Sequence, residues 1–381
     1  MIYLDHAATT AMYPQAVHRM IPYFYKQFYN PSGGYEAGVD TRKEIEQVRQ
    51  LLAEEIHAQP EEIYFTSGGT EGDNWALVNA LRNYSWKGRH IITTQIEHHA
   101  LLHTCEFLES QGVRVTYLPI NREGIIDLDF LRKAIRPDTI LISIMASNNE
   151  IGTLQPIHEI GALARENGIL FHTDAVQFFG HLPVNVEAMH IDMMSVSAHK
   201  FGGPKGVGFF YARKGIILSP LFFGGSQENH LRAGTENVAG IIGMGEAAYL
   251  SSLHQKNHYE HEKMLRDYLW ERISKEIPNV YLNGSLSKRL PGNLNLRFDG
   301  VDAHALMAML EMHGICVSGG SACTTSDQKP SHVLMALGLT EEQADSSIRI
   351  TIGYENTIEE IHYVFRCIQN CVEELRSLTQ A

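Results

Sequence analysis

The 381-residue chain lacks the features of a disulfide-stabilised or membrane-spanning protein. Its five cysteines are odd in number and widely separated, whereas a disulfide framework needs paired cysteines. No uninterrupted apolar run reaches the roughly 18 residues that a membrane-spanning helix needs. The first residues, Met1 to His6, form neither a basic nor an apolar targeting segment. We therefore expect a cytoplasmic protein without a membrane partner.

Positive charge is also scarce. The chain has 31 Lys and Arg residues against 44 Asp and Glu residues, which gives a formal net charge of −13. This balance argues against a nucleic-acid or membrane-surface partner. Hydrophobic residues make up 44% of the chain. Because a single core stops growing near ~250–300 residues, the length indicates two domains.

The region from about residue 45 to residue 245 alternates between short apolar runs and helical patterns. The runs resemble buried strands because they are almost continuously apolar. They occupy residues 62–65, 90–93, 113–118, 139–144, 169–171 and 191–196. The alternation predicts an α/β domain with a mostly parallel sheet that helices cover on both faces.

The pattern changes in the last third of the chain. The polar stretch from about Ser251 predicts the start of a long helix that crosses to a smaller α+β domain. Residues 293–298 and 347–352 alternate with period two, and a final helix begins at Thr357 with Glu360 completing a capping box. We predict a large domain at residues 15–255 and a small domain made of residues 1–14 and 256–381.

The most informative segment is Ser197-Ala198-His199-Lys200, which a glycine-rich stretch follows. Lys200 comes just after an apolar strand and next to a hydroxyl and an imidazole. An amine in that setting suits Schiff-base chemistry with an aldehyde cofactor, because desolvation and cationic neighbours lower the lysine pKa. Taken alone, the segment favours the alternative of a solvated lysine before a tight turn.

A second glycine-rich segment, Ser67-Gly68-Gly69-Thr70-Glu71-Gly72, follows a predicted strand and opens a predicted helix. In that context the backbone N–H groups and the helix dipole can bind a phosphate. It is not a P-loop, because no Lys-Ser/Thr pair follows the glycines. An ordinary turn capped by Ser67 or Thr70 is the alternative.

Polar residues follow other predicted strands. Asp174 comes at the carboxyl end of one, where open α/β sheets bind ligands. There it would keep the ring nitrogen of a pyridine cofactor protonated, or else serve as a helix N-cap. The segments Glu97-His98-His99 and Asn148-Asn149-Glu150 follow two more strands. His98 could stack on a flat ring and move protons near neutral pH.

The cysteines and one arginine complete the candidate residues. Small residues around Cys323 predict an exposed loop with a reactive thiol, whereas Cys316 lies in an apolar run and is expected in the core. Cys367 and Cys371 are spaced i, i+4 on the last helix and favour core packing over metal binding, and no metal site is predicted. Arg349 suits a clamp on a substrate carboxylate or a surface ion pair.

Taken together and in this order, these segments resemble the class V aminotransferase family, and within it the cysteine desulfurases of the NifS/IscS type. The resemblance extends over essentially the whole chain. The matching segments are 3–10, 30–32, 66–74, 148–152, 172–177, 197–200, 232–237, 321–323 and 346–349. It implies a fold type I homodimer that depends on pyridoxal 5'-phosphate and acts on L-cysteine.

The resemblance also implies roles around the cofactor ring. Lys200 would form the Schiff base, Asp174 would pair with the ring nitrogen, and His98 would stack on the ring and transfer protons. Gln177 would hydrogen-bond the phenolic oxygen. The residues implied to hold the phosphate are Gly69, Thr70, Ser197, His199 and a Thr235 that reaches in from the other subunit.

For the substrate, the resemblance implies that Asn149, which also borders the cofactor, binds the cysteine carboxylate together with Arg349. Cys323 would take the sulfur, leaving alanine and an enzyme persulfide. The sulfur would then pass to an acceptor protein, which is an iron–sulfur scaffold, a transfer-RNA thiolation enzyme or part of another cofactor pathway.

The chain departs from the family pattern in loops near the entrance of the implied site. Tyr35 stands where a histidine is common, and Ser226, Asn229 and His230 replace residues that are commonly Gly, Arg and Gly. Three alternative functions stay open: a selenocysteine lyase, another class V enzyme such as an aminotransferase, and a non-catalytic protein that binds pyridoxal phosphate.

Overall fold

A computed structural model describes residues 1–319 and 330–379 of the chain. Cys323 therefore lies outside the described residues. The strands are β1 (Ile2–Tyr3), β2 (Ile63–Thr66), β3 (His90–Thr94), β4 (Arg114–Leu118), β5 (Thr139–Ser143), β6 (Leu170–Asp174), β7 (Met193–Ser197), β8 (Gly208–Ala212), β9 (Val280–Leu282), β10 (Asn293–Phe298), β11 (Ile315–Cys316) and β12 (Ser347–Thr351).

Helices alternate with most of these strands, as the sequence pattern predicted. They are α1 (Pro14–Met20), α2 (Pro22–Tyr25), α3 (Glu36–Glu55), α4 (Gly69–Tyr84), α5 (His99–Ser110), α6 (Leu128–Ala134), α7 (Ile157–Glu166), α8 (Val238–Glu276), α9 (Ala303–Met312), α10 (His332–Ala336), α11 (Glu341–Asp345) and α12 (Ile358–Thr379). Within the described residues, no helix combines the length and the apolar character needed to cross a membrane.

The largest sheet in the described part of the chain has the strand order β2-β8-β7-β6-β5-β3-β4. Strands β7, β6, β5, β3 and β4 run parallel to one another, whereas β8 is antiparallel to both β7 and β2. Every residue of β3, β5, β7 and β8 is buried, because helices cover both faces of the sheet. The predicted mostly parallel sheet is therefore confirmed.

A glycine allows helix α4 to pack directly against the sheet. A Cβ atom on Gly72 would lie 2.6 Å from the Oγ of Ser195 on β7. Only a residue without a side chain lets the helix approach the strand this closely. Gly72 thus fixes the position of the turn that opens α4, and that turn is the predicted phosphate site.

A second hydrophobic core surrounds β10 and β12, which are antiparallel neighbours. Helix α12 packs on it through apolar residues that include Ile361, Val364 and Ile368. Its predicted capping box is confirmed: Thr357 N donates to Glu360 Oε2 at 3.1 Å, and Glu360 N donates to Thr357 Oγ1 at 3.2 Å. Cys367 and Cys371 are buried in this core, as predicted. The prediction for Cys316 is wrong, because this residue is only half-buried.

The long helix α8 begins at Val238, well before the predicted start at Ser251. Its first half is buried on nearly all sides and rich in small and apolar residues, so it shows no amphipathic period that the sequence could reveal. Met244 belongs to the first core and Leu265 to the second, so one helix serves both. The division that we predict between residues 255 and 256 falls within it and stays a prediction.

Candidate active site

A cavity of about 620 Å³ lies at the carboxyl ends of the central strands. It gathers almost all of the predicted site residues, although they are scattered over the chain. Those that line it are Gly69, Thr70, His98, Asn149, Asp174, Gln177, Ser197, His199, Lys200 and Arg349. The polar residues at successive strand ends therefore do converge on one site.

Among the described residues, the predicted Thr235 does not line this cavity. It is exposed to solvent, in the segment that leads into α8. Cys323 lies outside the described residues, as noted above.

The turn that opens α4 forms one wall of the cavity. Gly68 has a φ of 145°, and a Cβ on Gly69 would lie 2.4 Å from Cγ2 of Val176, so both positions require glycine. Gly68 is the N-cap residue, and no side chain caps the helix, so the alternative of a cap by Ser67 or Thr70 is wrong. The first N–H groups of α4 are thereby left to interact with an anion.

Lys200 ends a single turn of 3₁₀ helix, Ala198–Lys200, directly after β7. Its Nζ donates hydrogen bonds to the carbonyl oxygens of Ala7 at 2.6 Å and Ala8 at 2.8 Å. Beside it, His199 Nδ1 lies 3.2 Å from Thr9 Oγ1. Burial and the charge of Lys200 lower the pKa of His199 to about 4, so its imidazole is neutral at pH 7.

Asp174 is the last residue of β6 and is buried. Its Oδ1 accepts a hydrogen bond from Val176 N at 2.8 Å, but the following residues form a turn, so it does not cap a helix. Burial raises the pKa of Asp174 to about 6, while the Val176 N–H and the charge of Lys200 act in the opposite direction. A cationic ligand in the cavity would therefore favour the carboxylate form.

His98 is the N-cap residue of α5, where its Nδ1 accepts a hydrogen bond from Ala100 N at 3.1 Å. The neutral ring must therefore carry its proton on Nε2. Burial, then Lys200 and neighbouring histidines, lower the pKa of His98 to about 4. The preceding residue, Glu97, anchors the start of α5, since its carboxyl accepts hydrogen bonds from Met145 N at 3.0 Å and Thr94 Oγ1 at 2.6 Å.

Arg349 reaches the cavity from β12, so the second core also contributes to the site. Its Nη1 donates to the carbonyl oxygen of Asn149 at 3.0 Å, and its Nη2 donates to Asp5 Oδ1 at 2.6 Å. Only 1% of Arg349 is exposed. The alternative of a surface ion pair is therefore wrong. The guanidinium of Arg349 lies beside Asn149, the residue predicted to bind the substrate carboxylate with it.

Sequence reasoning missed several residues that line the same cavity. The segment Ala7 to Thr9 matched the family pattern, but no role followed from that match. The sequence assigned no role to five further residues that line the cavity, Asp73, His99, Glu150, Lys205 and His332. His99 and Glu150 stand in polar segments that follow predicted strands, whereas Asp73 is a single polar residue within α4.

Comparison with known proteins agrees with the sequence resemblance. Residues 2–364 match the family model described as Aminotransferase class-V. The chain is 49% identical over 378 residues to the cysteine desulfurase IscS of Dictyoglomus turgidum, covering 99% of this chain and 96% of that protein. It is 47% identical to the putative cysteine desulfurase IscS 1 of Bacillus subtilis, covering 98% and 99% of the two chains.

Solved structures share the fold. A NifS-like protein superposes with a TM-score of 0.92 at 35% identity and covers 98% of this chain and 99% of its own. A structure described as SspA in complex with cysteine superposes with a TM-score of 0.82 at 36% identity, covering 94% of this chain and all of its own. The fold is accordingly that of the fold type I enzymes.

Proposed function

This chain belongs to the class V aminotransferase family. On that premise we propose that the cavity binds pyridoxal 5'-phosphate and that the enzyme uses it to remove sulfur from L-cysteine. Its relatives at 44–49% identity over nearly the whole chain are cysteine desulfurases, and so is this protein. The observation that carries the assignment is that Lys200, Asp174, His98 and Arg349 line one cavity.

The cavity suits pyridoxal phosphate on its own chemistry. The uncapped N–H groups of α4 and the glycines that precede them suit the phosphate. A buried carboxyl, Asp174, suits the ring nitrogen, and Lys200 supplies the amine for an aldehyde. Gln177 lies close to Lys200, since both donate to the carbonyl of Ala7, and we assign it to the phenolic oxygen. Ser197 and His199 complete the phosphate side.

When bound, the cofactor withdraws electrons from the substrate Cα and so weakens its bonds. The amine of Lys200 would hold the aldehyde group of the cofactor and would carry a transferred proton on Nζ. The neutral His98 would exchange a proton at Nε2, because its Nδ1 already accepts from Ala100. Arg349 and Asn149 would orient the substrate through its carboxylate.

We assign the sulfur-accepting thiol to Cys323. The step balances without an outside oxidant: the thiol and L-cysteine give a persulfide and L-alanine, with one S–S bond formed and one C–S bond broken. The thiolate is the attacking form. Because this thiol must stay reduced between turnovers, we place the protein in the cytoplasm.

We also propose that the enzyme is a homodimer in which Thr235 serves the other subunit's phosphate site. Thr235 is exposed and does not line the cavity of its own chain. Large apolar side chains are exposed near the amino-terminal end, including Phe24, Tyr25 and Phe28 at 67%, 69% and 66%. A second copy of the chain would cover this surface. The sulfur acceptor would be a separate protein.

The assay that tests this proposal follows L-alanine and protein-bound sulfane sulfur after the holoenzyme meets L-cysteine. Cys323→Ser should abolish the bound sulfur, whereas Cys316→Ser, the same change at a half-buried cysteine, should retain it. Persulfide formation in Cys323→Ser would refute the assignment of this thiol. Transfer of the amino group to a 2-oxo acid, or turnover of selenocysteine alone, would refute the desulfurase activity.

A further inference from the structure

An ion pair that the reaction above does not use lies behind the turn that opens α4. Nε of Arg232 donates to Oε1 of Glu71 at 2.9 Å, and Nη2 of Arg232 donates to Oε2 at 3.2 Å. The side chain of Glu71 is only 4% exposed, and that of Arg232 is 24% exposed. Because the guanidinium meets both carboxylate oxygens, the pair is bidentate and is held in one geometry.

Glu71 also holds the backbone of the turn. Ser67 N donates to Oε2 of Glu71 at 2.8 Å, directly before the two glycines that open the helix. Ser67, Gly68, Gly69, Thr70 and Glu71 all line the cavity. The carboxyl of Glu71 therefore joins an arginine outside the turn to the segment that we assign to the phosphate, and the hydrogen bond from Ser67 helps to fix the shape of that segment.

The charge of Glu71 is unfavourable at this place. Burial acts to raise the pKa of its carboxyl, but the hydrogen bonds from Arg232 and Ser67 outweigh burial and keep the pKa below the ordinary value of 4.5. Glu71 is therefore ionised at pH 7. A phosphate ester carries a charge of about −1.5 to −2 at that pH. An uncompensated carboxylate on the same turn would repel such a ligand.

A strained segment brings Arg232 to this position. Residues 228–230 have φ angles between 47° and 68°, in the left-handed region that residues with side chains rarely adopt. The carboxylate of Glu228 holds this conformation, because Arg49 of α3 donates to its two oxygens at 2.7 and 2.8 Å and Phe65 N of β2 donates at 2.9 Å. The segment is thus anchored to α3 and β2, two residues before Arg232 begins, so the arginine approaches Glu71 from a fixed point.

Resting on the proposed function, we propose that Arg232 is a positioning residue for the phosphate: it holds the Glu71 carboxylate against the N–H of Ser67 and cancels its charge, so that the turn keeps its shape and still accepts a phosphate dianion. Arg232 is not among the described residues that line the cavity, so it acts through Glu71. Glu71 supplies the acceptor for the turn, and Arg232 supplies the compensating charge.

A second ion pair in the same domain provides a matched control. Nε of Arg213 donates to Oδ1 of Asp192 at 2.7 Å, and Phe171 N donates to Oδ2 of Asp192 at 2.9 Å. A buried carboxylate again joins an arginine to a backbone N–H, here directly before β7. Neither Arg213 nor Asp192 is among the described residues that line the cavity. Arg213→Gln therefore controls for the general loss of such a pair.

Three variants change the charge beside the phosphate in defined steps. Relative to wild type, Arg232→Gln leaves one extra negative charge, Glu71→Gln leaves one extra positive charge, and the double variant leaves the net charge unchanged. A glutamine at position 71 keeps an oxygen that can accept from Ser67. The dissociation constants of pyridoxal 5'-phosphate and of pyridoxal, which lacks the phosphate, are measured at pH 7 on the full chain freed of cofactor, by visible absorbance.

We expect Arg232→Gln to weaken the binding of pyridoxal 5'-phosphate by about tenfold to a hundredfold, because the uncompensated carboxylate repels the phosphate. Glu71→Gln should bind this ligand more tightly than wild type, and the double variant should restore the wild-type affinity. Pyridoxal should bind all three variants as it binds wild type, because it carries no phosphate. Arg213→Gln should leave the affinity for both ligands unchanged.

The alternatives give different results. Equal losses for both ligands in Arg232→Gln would mean that the pair only supports the fold, and a double variant as weak as Arg232→Gln would mean that Arg232 binds the phosphate itself; either result overturns the proposal. If Arg232→Gln does not fold, Glu71→Gln and the double variant still differ by one charge, and equal affinities of these two for pyridoxal 5'-phosphate would overturn it. A wild type that binds neither ligand would instead overturn the proposed function.

Discussion

The carbonyl oxygen of Ala7 lies 2.6 Å from the Nζ of Lys200, although 193 residues separate them along the chain. The same oxygen accepts a hydrogen bond from Gln177 Nε2 at 2.9 Å. The amino-terminal segment therefore holds the amine and the amide on one side of the cavity. This explains why residues far from the glycine-rich motifs belong to the site.

Replacing Lys200 separates its covalent role from its charge. Lys200→Arg keeps a cation that can reach the Ala7 carbonyl but cannot form a Schiff base, and Lys200→Ala removes both. We expect both variants to lose the visible absorbance of lysine-bound cofactor and about three orders of magnitude in desulfuration rate. Rapid-quench measurement of alanine provides the rate. A Lys200→Arg enzyme with more than a tenth of wild-type activity would exclude the covalent role.

Much of the site could be predicted because its polar residues directly follow the strands of a parallel sheet. In a parallel sheet the carboxyl ends of the strands meet at one edge, so Asp174, His98 and Asn149 were expected to approach one another from strand boundaries alone. The strands themselves were visible because burial on both faces makes them continuously apolar.

Other parts were hidden for identifiable physical reasons. The contribution of Ala7 and Ala8 comes from backbone carbonyls, which leave no trace in side-chain chemistry. Asp73 is one polar residue in a helix, and only tertiary packing brings it to the cavity. The first half of α8 is buried on nearly all sides, so it lacks the amphipathic period that marks a helix in sequence.

Arg349 should control substrate affinity more than turnover. Lysine cannot reproduce the planar fork that donates to a carboxylate while also pairing with Asp5. We expect Arg349→Lys to raise KM for L-cysteine by about tenfold to a hundredfold, which corresponds to the loss of about 1.5–3 kcal/mol for a hydrogen bond to a charged group. The matched control is Arg297→Lys on adjacent β10, which pairs with Asp299 and does not line the cavity. Equal effects on KM would contradict a carboxylate-binding role.

Gly72 should be needed for both stability and cofactor binding. The Cβ of Gly72→Ala would lie 2.6 Å from Ser195 Oγ, which forces α4 away from β7 and moves the phosphate-binding turn. We expect a loss of about 1–3 kcal/mol in the free energy of unfolding, measured with urea, and weaker binding of pyridoxal phosphate. Gly34→Ala is the control, because its Cβ meets nothing within 4 Å. If the two variants were equally stable, close packing of α4 would not be the reason for glycine here.

Glu262 should make the protein less stable as the pH rises. It lies in the middle of α8 and is 5% exposed, and burial followed by the charge of Glu355 raises its pKa to about 8 from an ordinary value of 4.5. Between those two pH values the folded protein retains a proton that the unfolded chain releases. The stability associated with that proton is present in full below pH 4.5 and is lost as the pH rises through 8.

Glu262→Gln removes this titration, so its stability relative to wild type should increase from pH 5 to pH 8.5. Urea unfolding at the two pH values measures the change, and it needs no cofactor chemistry. Glu260→Gln on the same helix is the control, since Glu260 is exposed and its loss should leave the pH dependence of the wild type in place. If the difference in free energy of unfolding between Glu262→Gln and wild type were the same at both pH values, Glu262 would not retain a proton in the folded protein.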